Sequence, residues 1–371
     1  MAGKKVVNCK DALCCLPELD EGCSRAKISW FSRRTMTVLF YHSNNSDRKQ
    51  WGATLRIRRR SLLSVGMMIA NIFLLVAFNK VRAQEFYPVW EKGKIPGVNK
   101  IPVKDSIVDE RIWQVETPGI YAFPATRAEN TGTTVLICPG GGYQRASYVY
   151  NGFNFAKWFN TLGINVFVLI YRLPHQRNLT DRANAPVQDA QRAIKYIRAN
   201  ADKWKINPDK LGVMGISAGG HLVATLSTQT EDVTRIKDIL DTVKYRPDFA
   251  ILLSPVVSMG QWAHKGSKAN LLGADTSVAR VEKYSAEKQV SGYTPPTFIV
   301  HALNDKTVNV RNSLMYYNAL VDHNINASLH IFPQGGHGIR LTENPGSTEL
   351  WLPLLHSWMK EMNFLTPIPF K

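Results

Sequence analysis

Gly215-Ile216-Ser217-Ala218-Gly219 sets a serine among small residues, in the pattern Gly-x-Ser-x-Gly. A serine hydroxyl is a poor nucleophile at neutral pH and needs a base beside it. The setting of this motif carries more weight than the pattern. Leu211–Gly215 reads as a short apolar strand and Ala218–Thr228 as a helix. A sharp strand-to-helix turn there lifts the Ser217 hydroxyl above the C-terminal edge of a sheet. The N–H groups that open the helix favour negative charge developing beside it. The competing reading is a glycine-rich turn that binds phosphate.

A base is expected at His337, in Gln334-Gly335-Gly336-His337-Gly338 directly after the last apolar strand. His221, one helical turn beyond Ser217, is expected to point inward and pack or hydrogen-bond there. His301 and His330 fall within strands and read as structural. An acid must fix the tautomer of the base and stabilise its imidazolium. Asp305, in Ala302-Leu303-Asn304-Asp305-Lys306, follows a strand and fits. Asp189 lies in a helix, and Asp248 precedes a strand at the wrong end of the sheet. Backbone donors for an oxyanion are expected from Gly141 and Gly142, in Pro139-Gly140-Gly141-Gly142-Tyr143, and from Ala218 after the nucleophile. Together these residues specify acyl transfer through a covalent intermediate, and that chemistry needs neither metal nor cofactor.

The elements that must hold these residues alternate along the chain. Strands are expected at 133–138, 165–171, 211–215, 249–254, 297–302 and 327–332, and helices at 155–162, 187–201, 218–228, 310–324 and 350–362. Near-continuous apolar strands between helices imply a mostly parallel central sheet covered by helices on both faces. Arg111–Val115 and Gly119–Phe123 read as an antiparallel pair at the start of the sheet. The chain order serine, aspartate, histidine is the one expected of an α/β-hydrolase fold.

The chain of 371 residues carries a net charge of +17. Residues 1–83 hold 15 Lys/Arg against 5 Asp/Glu, so most of the excess lies in a short leader. A nucleic-acid partner is therefore not expected. Within the leader, Arg56 and Arg58–Arg60 precede an apolar run from Leu62 to Phe78, and Val81-Arg82-Ala83 supplies small residues at −3 and −1. That sequence of regions describes a secretory signal peptide over 55–83, with the mature chain starting at Gln84 and placed outside the cell or in the periplasm. A membrane anchor is the alternative for the same run, and it alone would give the protein a membrane partner. Residues 1–54 show no clear period, and a translation start near Leu55 would account for them. They carry four of the five cysteines, and adjacent Cys14 and Cys15 make a poor metal pattern. Residues 84–371 form the expected single catalytic domain, with 256–294 as a cap segment.

At several points the chain resembles a known family. Pro139–Tyr143, Tyr171-Arg172-Leu173-Pro174, Asp189-Ala190-Gln191-Arg192-Ala193, the run from Gly212 to Leu222, Pro295-Pro296-Thr297-Phe298 and Gly335–Gly338 carry the likeness. It spans about Tyr87 to Trp358. These motifs resemble the secreted bacterial carbohydrate esterases of the α/β-hydrolase fold, the acetylxylan-esterase and feruloyl-esterase-like proteins. The resemblance implies removal of acetyl or other acyl groups from plant polysaccharides such as xylan, without a metal. Family members often carry an acidic residue where this chain has Asn304; the second acid, Asp305, is present. Aromatics suit sugar faces, so Tyr143, Tyr148 and Trp262 are the substrate-contact candidates. Two other readings stay open, a serine peptidase or amidase on small exported substrates and a non-catalytic carbohydrate-binding protein on the same scaffold. A glycosidase would need two carboxylates facing across a sugar bond, and none stands out.

Overall fold

A computed structural model describes residues 84–366 in full and, before them, four strands. The chain divides into two compact units, Met1–Arg82 and Ala83–Lys371. In the first, β1 (Lys5–Asn8), β2 (Cys23–Ser32), β3 (Thr35–His42) and β4 (Gln50–Arg56) form an antiparallel sheet in sequence order. Regular strands thus occur where the sequence offers no obvious period. The expected signal segment falls, from residue 57 onward, outside the described residues. No helix of the described residues is long and apolar enough to cross a membrane.

The second unit is built on eight strands. They are β5 (Glu85–Pro88), β8 (Gly119–Phe123), β9 (Thr134–Cys138), β10 (Asn165–Ile170), β11 (Leu211–Ile216), β12 (Phe249–Leu253), β13 (Thr297–Ala302) and β14 (Ala327–Phe332), between which β6 (Ser106–Val108) and β7 (Arg111–Gln114) make a separate ribbon. Their order is β14-β13-β12-β11-β9-β10-β8-β5. The six from β14 to β10 run parallel, and β8 and β5 are added antiparallel at the edge.

Side chains of each central strand alternate between two cores. Leu136, Phe167, Leu169, Leu211, Val213, Ala250, Leu252 and Ile299 pack with helices Ala185–Ala199, Ala218–Thr228 and Arg311–Asp322. Val135, Ile137, Val166, Val168, Met214, Ile251, Phe298 and Val300 pack with helices Asn154–Asn160 and Trp351–Glu361. Both faces are apolar because both are covered, which is why these strands read as unbroken hydrophobic runs. All residues of β9 to β13 are buried.

One expected pairing is overturned. Arg111–Gln114 does not pair with Gly119–Phe123 but with Ser106–Val108, while Gly119–Phe123 lies between β10 and β5. The backbone groups of this stretch are taken up elsewhere. Ile112 exchanges both of its backbone hydrogen bonds with Ala146, and the side-chain amide of Gln176 both accepts from Val115 N–H and donates to its carbonyl. A side chain that satisfies both groups of a residue removes the need for a strand partner.

Candidate active site

Ser217 sits at the junction of β11 with the helix Ala218–Thr228, at φ 57° and ψ −120°. This is a backbone conformation that non-glycine residues rarely adopt, held here because its surroundings fix it. The Ser217 N–H donates to the Leu253 carbonyl, and its own carbonyl accepts from Val256 N–H. Gly219 must be glycine for a reason of space. A Cβ there would lie 2.1 Å from the Cys138 carbonyl oxygen, so the helix could not approach β9.

The Ser217 hydroxyl lies 2.9 Å from His337 Nε2, and His337 Nδ1 lies 2.7 Å from Asp305 Oδ2. The three residues come from loops after β11, β13 and β14, at one edge of the sheet. With neutral His337 donating its Nδ1–H to the carboxylate, Nε2 is the acceptor for the Ser217 proton. Asp305 is almost wholly buried, at 8% exposure. Its Oδ1 accepts from the Thr307 and Val308 amides, and its Oδ2 from His337 and from His301 Nε2 at 3.2 Å. Burial alone would raise its carboxyl, but the hydrogen bonds from His301, His337 and the Val308 amide outweigh that and hold it well below the usual carboxylate range.

Gly141 and Gly142 follow β9 at φ +140° and +65°. A Cβ on Gly141 would lie 2.1 Å from the Arg145 carbonyl oxygen, so the loop closes this tightly only with glycine. Among the described residues, no acceptor engages the amides of Gly141, Gly142 or Ala218. The loop is held from behind by the Tyr171 hydroxyl, which donates to the Pro139 carbonyl at 2.7 Å.

Three neighbours of this site escaped the reading of the sequence. His301, expected as a structural strand residue, reaches Asp305. Its Nε2 also faces the Val308 carbonyl at 3.0 Å. Because a carbonyl only accepts, Nε2 carries the proton, and Nδ1 accepts from the Ser313 hydroxyl at 2.7 Å. The only sequence signal was its spacing of four residues from Asp305 across a strand end. Asn304 accepts from Gly336 N–H through Oδ1 at 2.8 Å. An acidic side chain at this position could supply the same accepting oxygen and tie down the histidine loop alike. Tyr171 read as the end of a strand and the start of a family motif, with no role for its hydroxyl.

The substrate-contact candidates are placed apart. Tyr143 does not line a mouth: it is 1% exposed, and its hydroxyl lies 2.8 Å from His221 Nδ1. His221 Nε2 faces the Tyr284 carbonyl at 2.7 Å, so it carries the ring proton, and Tyr143 is the donor to Nδ1. Phenol and imidazole satisfy each other inside the core, which is why neither turns outward. Burial pulls the His221 imidazole down to about 4. Tyr148 is half-buried and stacks on Tyr121. Trp262 is half-buried under the Arg311 guanidinium. The rival acids are consumed by structure. Asp189 binds Arg172 through Nε and Nη2 and also accepts from Trp90 Nε1, and Asp248 pairs with Arg198 and Lys244.

Known proteins resemble this chain in sequence and in fold. Residues 120–320, more than half of the chain, match the BD-FAE family. An acetylxylan esterase of Xylanibacter ruminicola is 37% identical over 213 residues, which make up 56% of this chain and 41% of that protein. An endo-1,4-β-xylanase B of Butyrivibrio fibrisolvens is 35% identical over 57% of this chain and 33% of its own. The chain thus spans less than half the length of these curated relatives. Among solved structures, an acetyl ester-xyloside bifunctional hydrolase from Caldicellulosiruptor lactoaceticus superposes with a TM-score of 0.66 at 33% identity, over 77% of this chain and 99% of that one. A carboxylesterase from Lactobacillus plantarum, 22% identical with a TM-score of 0.55 over 72% of this chain and all of the other, shares the fold. The chain belongs to the BD-FAE family and has the α/β-hydrolase fold.

Proposed function

We propose that the protein is a serine esterase that removes acetyl or other small acyl groups from acylated carbohydrates such as xylan, outside the cell or in the periplasm. One observation carries the catalytic part: the contact of Ser217 Oγ with His337 Nε2, backed by Asp305 and set beside unpartnered backbone amides. The carbohydrate part rests on likeness to the acetylxylan esterase and the acetyl ester-xyloside hydrolase.

In this reading Ser217 Oγ attacks the ester carbonyl carbon while His337 Nε2 takes its proton. Asp305 stabilises the imidazolium so formed. The carbonyl oxygen becomes an oxyanion that the amides of Gly141, Gly142 and Ala218 receive. The C–O bond to the sugar breaks, and His337 returns the proton to the departing alkoxide. Water, deprotonated by the same imidazole, then attacks the acyl-enzyme and releases the acid and free Ser217. His301 and Asn304 are positioning residues, one on Asp305 and the other on the histidine loop.

The test is acetate release from acetylated xylan and acetylated pectin by wild type and Ser217→Ala, with fluorophosphonate labelling of Ser217 as a parallel readout. Release by wild type alone is expected. Cleavage of small peptides with no release from any ester would replace the reading with the peptidase one, and absence of labelling would favour a binding protein.

A further inference from the structure

His264 opens the helix Lys265–Leu272, and its Nδ1 accepts from the Ser267 N–H at 3.1 Å, with the Ser267 hydroxyl at 2.8 Å. An amide N–H can only donate, so Nδ1 bears a lone pair and the proton of the neutral ring is on Nε2. Among the described residues nothing accepts from that Nε2–H. Burial, and then the neighbouring His337 imidazole, pull the His264 imidazole below its ordinary value, against an upward pull from Asp305. The ring is therefore a neutral donor of fixed tautomer near pH 7.

Its place is beside the glycine loop that follows β9. His264 Cε1, the atom between the two ring nitrogens, lies 4.0 Å from where a Cβ on Gly142 would stand. The same helix is tied to the oxyanion loop by Asn270, whose Nδ2 donates to the Gly142 carbonyl at 2.9 Å. The ring thus adjoins the loop expected to hold the oxyanion, and it is near enough to the His337 imidazole for the two to repel as cations. A helix cap alone requires Nδ1 only. Ser, Thr, Asp and Asn are the usual caps, and each is too short to place a donor where Nε2 stands.

We propose that His264 Nε2–H is a substrate-recognition donor that binds an oxygen on the alcohol side of the ester, the hydroxyl vicinal to the acylated carbon of a sugar. This rests on the esterase reading above and names the feature of the substrate that its site reads. An ester of a plain cycloalkanol offers no such acceptor.

The variant that separates the two roles is His264→Asn. Its Oδ1 can still accept from the Ser267 N–H, but its amide is too short to stand where Nε2 does. His264→Ala removes cap and donor together. The measurement is kcat/KM for monoacetylated methyl β-xyloside relative to cyclohexyl acetate, with Tm recorded for each protein. In His264→Asn the ratio is expected to fall about 10-fold, the scale of one neutral hydrogen bond, with Tm close to wild type. In His264→Ala the ratio falls equally and Tm falls too. A His264→Asn ratio equal to wild type overturns the proposal and leaves a cap. Wild type that hydrolyses both esters with no preference for the xyloside also overturns it, while the esterase reading stands. Wild type that cleaves neither ester overturns both.

Discussion

Two regions meet at the site, and they are held in different ways. The loops after β11, β13 and β14 carry Ser217, Asp305 and His337, and they follow strands of a sheet whose interior is closed to water. Asp305 alone accepts four hydrogen bonds. The excursion 256–294, the neighbouring wall in the proposed reading, contains the helices Lys265–Leu272 and Val278–Lys283. Its entry is fixed from outside by Asn312, fully buried, whose Oδ1 accepts from the Val257 and Ser258 amides and whose Nδ2 donates to the Trp262 carbonyl. In the proposed reading, reactivity rests on strand ends, and recognition on a segment pinned by side chains. A sheet edge cannot shift without breaking its ladder. A pinned wall can change its residues while the triad stays in place.

This contrast sets the order of expected effects. Ser217→Ala should lower kcat on every ester by about 10⁵-fold, since the nucleophile has no substitute. Steady-state assay with active-site titration measures it, and a residual rate within a hundredfold of wild type would detach the strand-end loops from the chemistry. Gly141→Ala puts a methyl against the Arg145 carbonyl in a backbone region closed to alanine. A loss of about 10²–10³ in kcat is expected if that loop holds the oxyanion. Should KM alone rise, the loop would belong to recognition instead.

Asn312→Ala leaves the Val257 and Ser258 amides and the Trp262 carbonyl without the partner that holds them. Urea unfolding should show a loss of about 3 kcal/mol. The comparison is sharpened if KM for an acetylated xyloside rises more than kcat for a simple ester falls. Equal effects on both would mean that wall and machinery move together.

His221 makes the core beneath both regions sensitive to acid. Its folded value of about 4 lies below the ordinary 6.5. The unfolded chain therefore takes up a proton in this window that the folded chain refuses, so stability falls as pH drops from about 6.5 to 4, by on the order of 3 kcal/mol. Thermal melts at pH 7 and 4.5 should show this drop in wild type and a shallower one in His221→Asn, which starts less stable. Parallel slopes would mean that His221 is not the group responsible. The smallest effect is expected at Asn304. Asn304→Ala should lower kcat by about 10-fold through a looser histidine loop, while Asn304→Asp, which keeps the accepting oxygen, should stay within about twofold. If Asn304→Asp falls as far as Asn304→Ala, the bond to Gly336 is not what matters.

The sheet and its helices were legible in the sequence because both faces of each central strand are covered, which leaves an unbroken apolar signal between turn residues. Helix Ala218–Thr228 and strands Thr297–Ala302 and Ala327–Phe332 lie within the expected bounds. The edge was less legible. Ile112 is partnered by Ala146 and Val115 by Gln176, and no local pattern announces a side chain that arrives from sixty residues away. Tyr143 looked like a sugar platform from its place after Gly142, but its direction is set by His221 on another element.

By itself the sequence marked the candidate nucleophile, acid and base and their order along the chain, because the turns and loops that carry them are local structures with local glycine and strand signals. Only the tertiary structure decided which polar groups face one another. That settled the inward turn of Tyr143, the reach of His301 to Asp305 and the tautomer that leaves His264 with a free donor. Each depends on hydrogen bonds between side chains and backbone brought together by packing, and such contacts leave no period or motif to read.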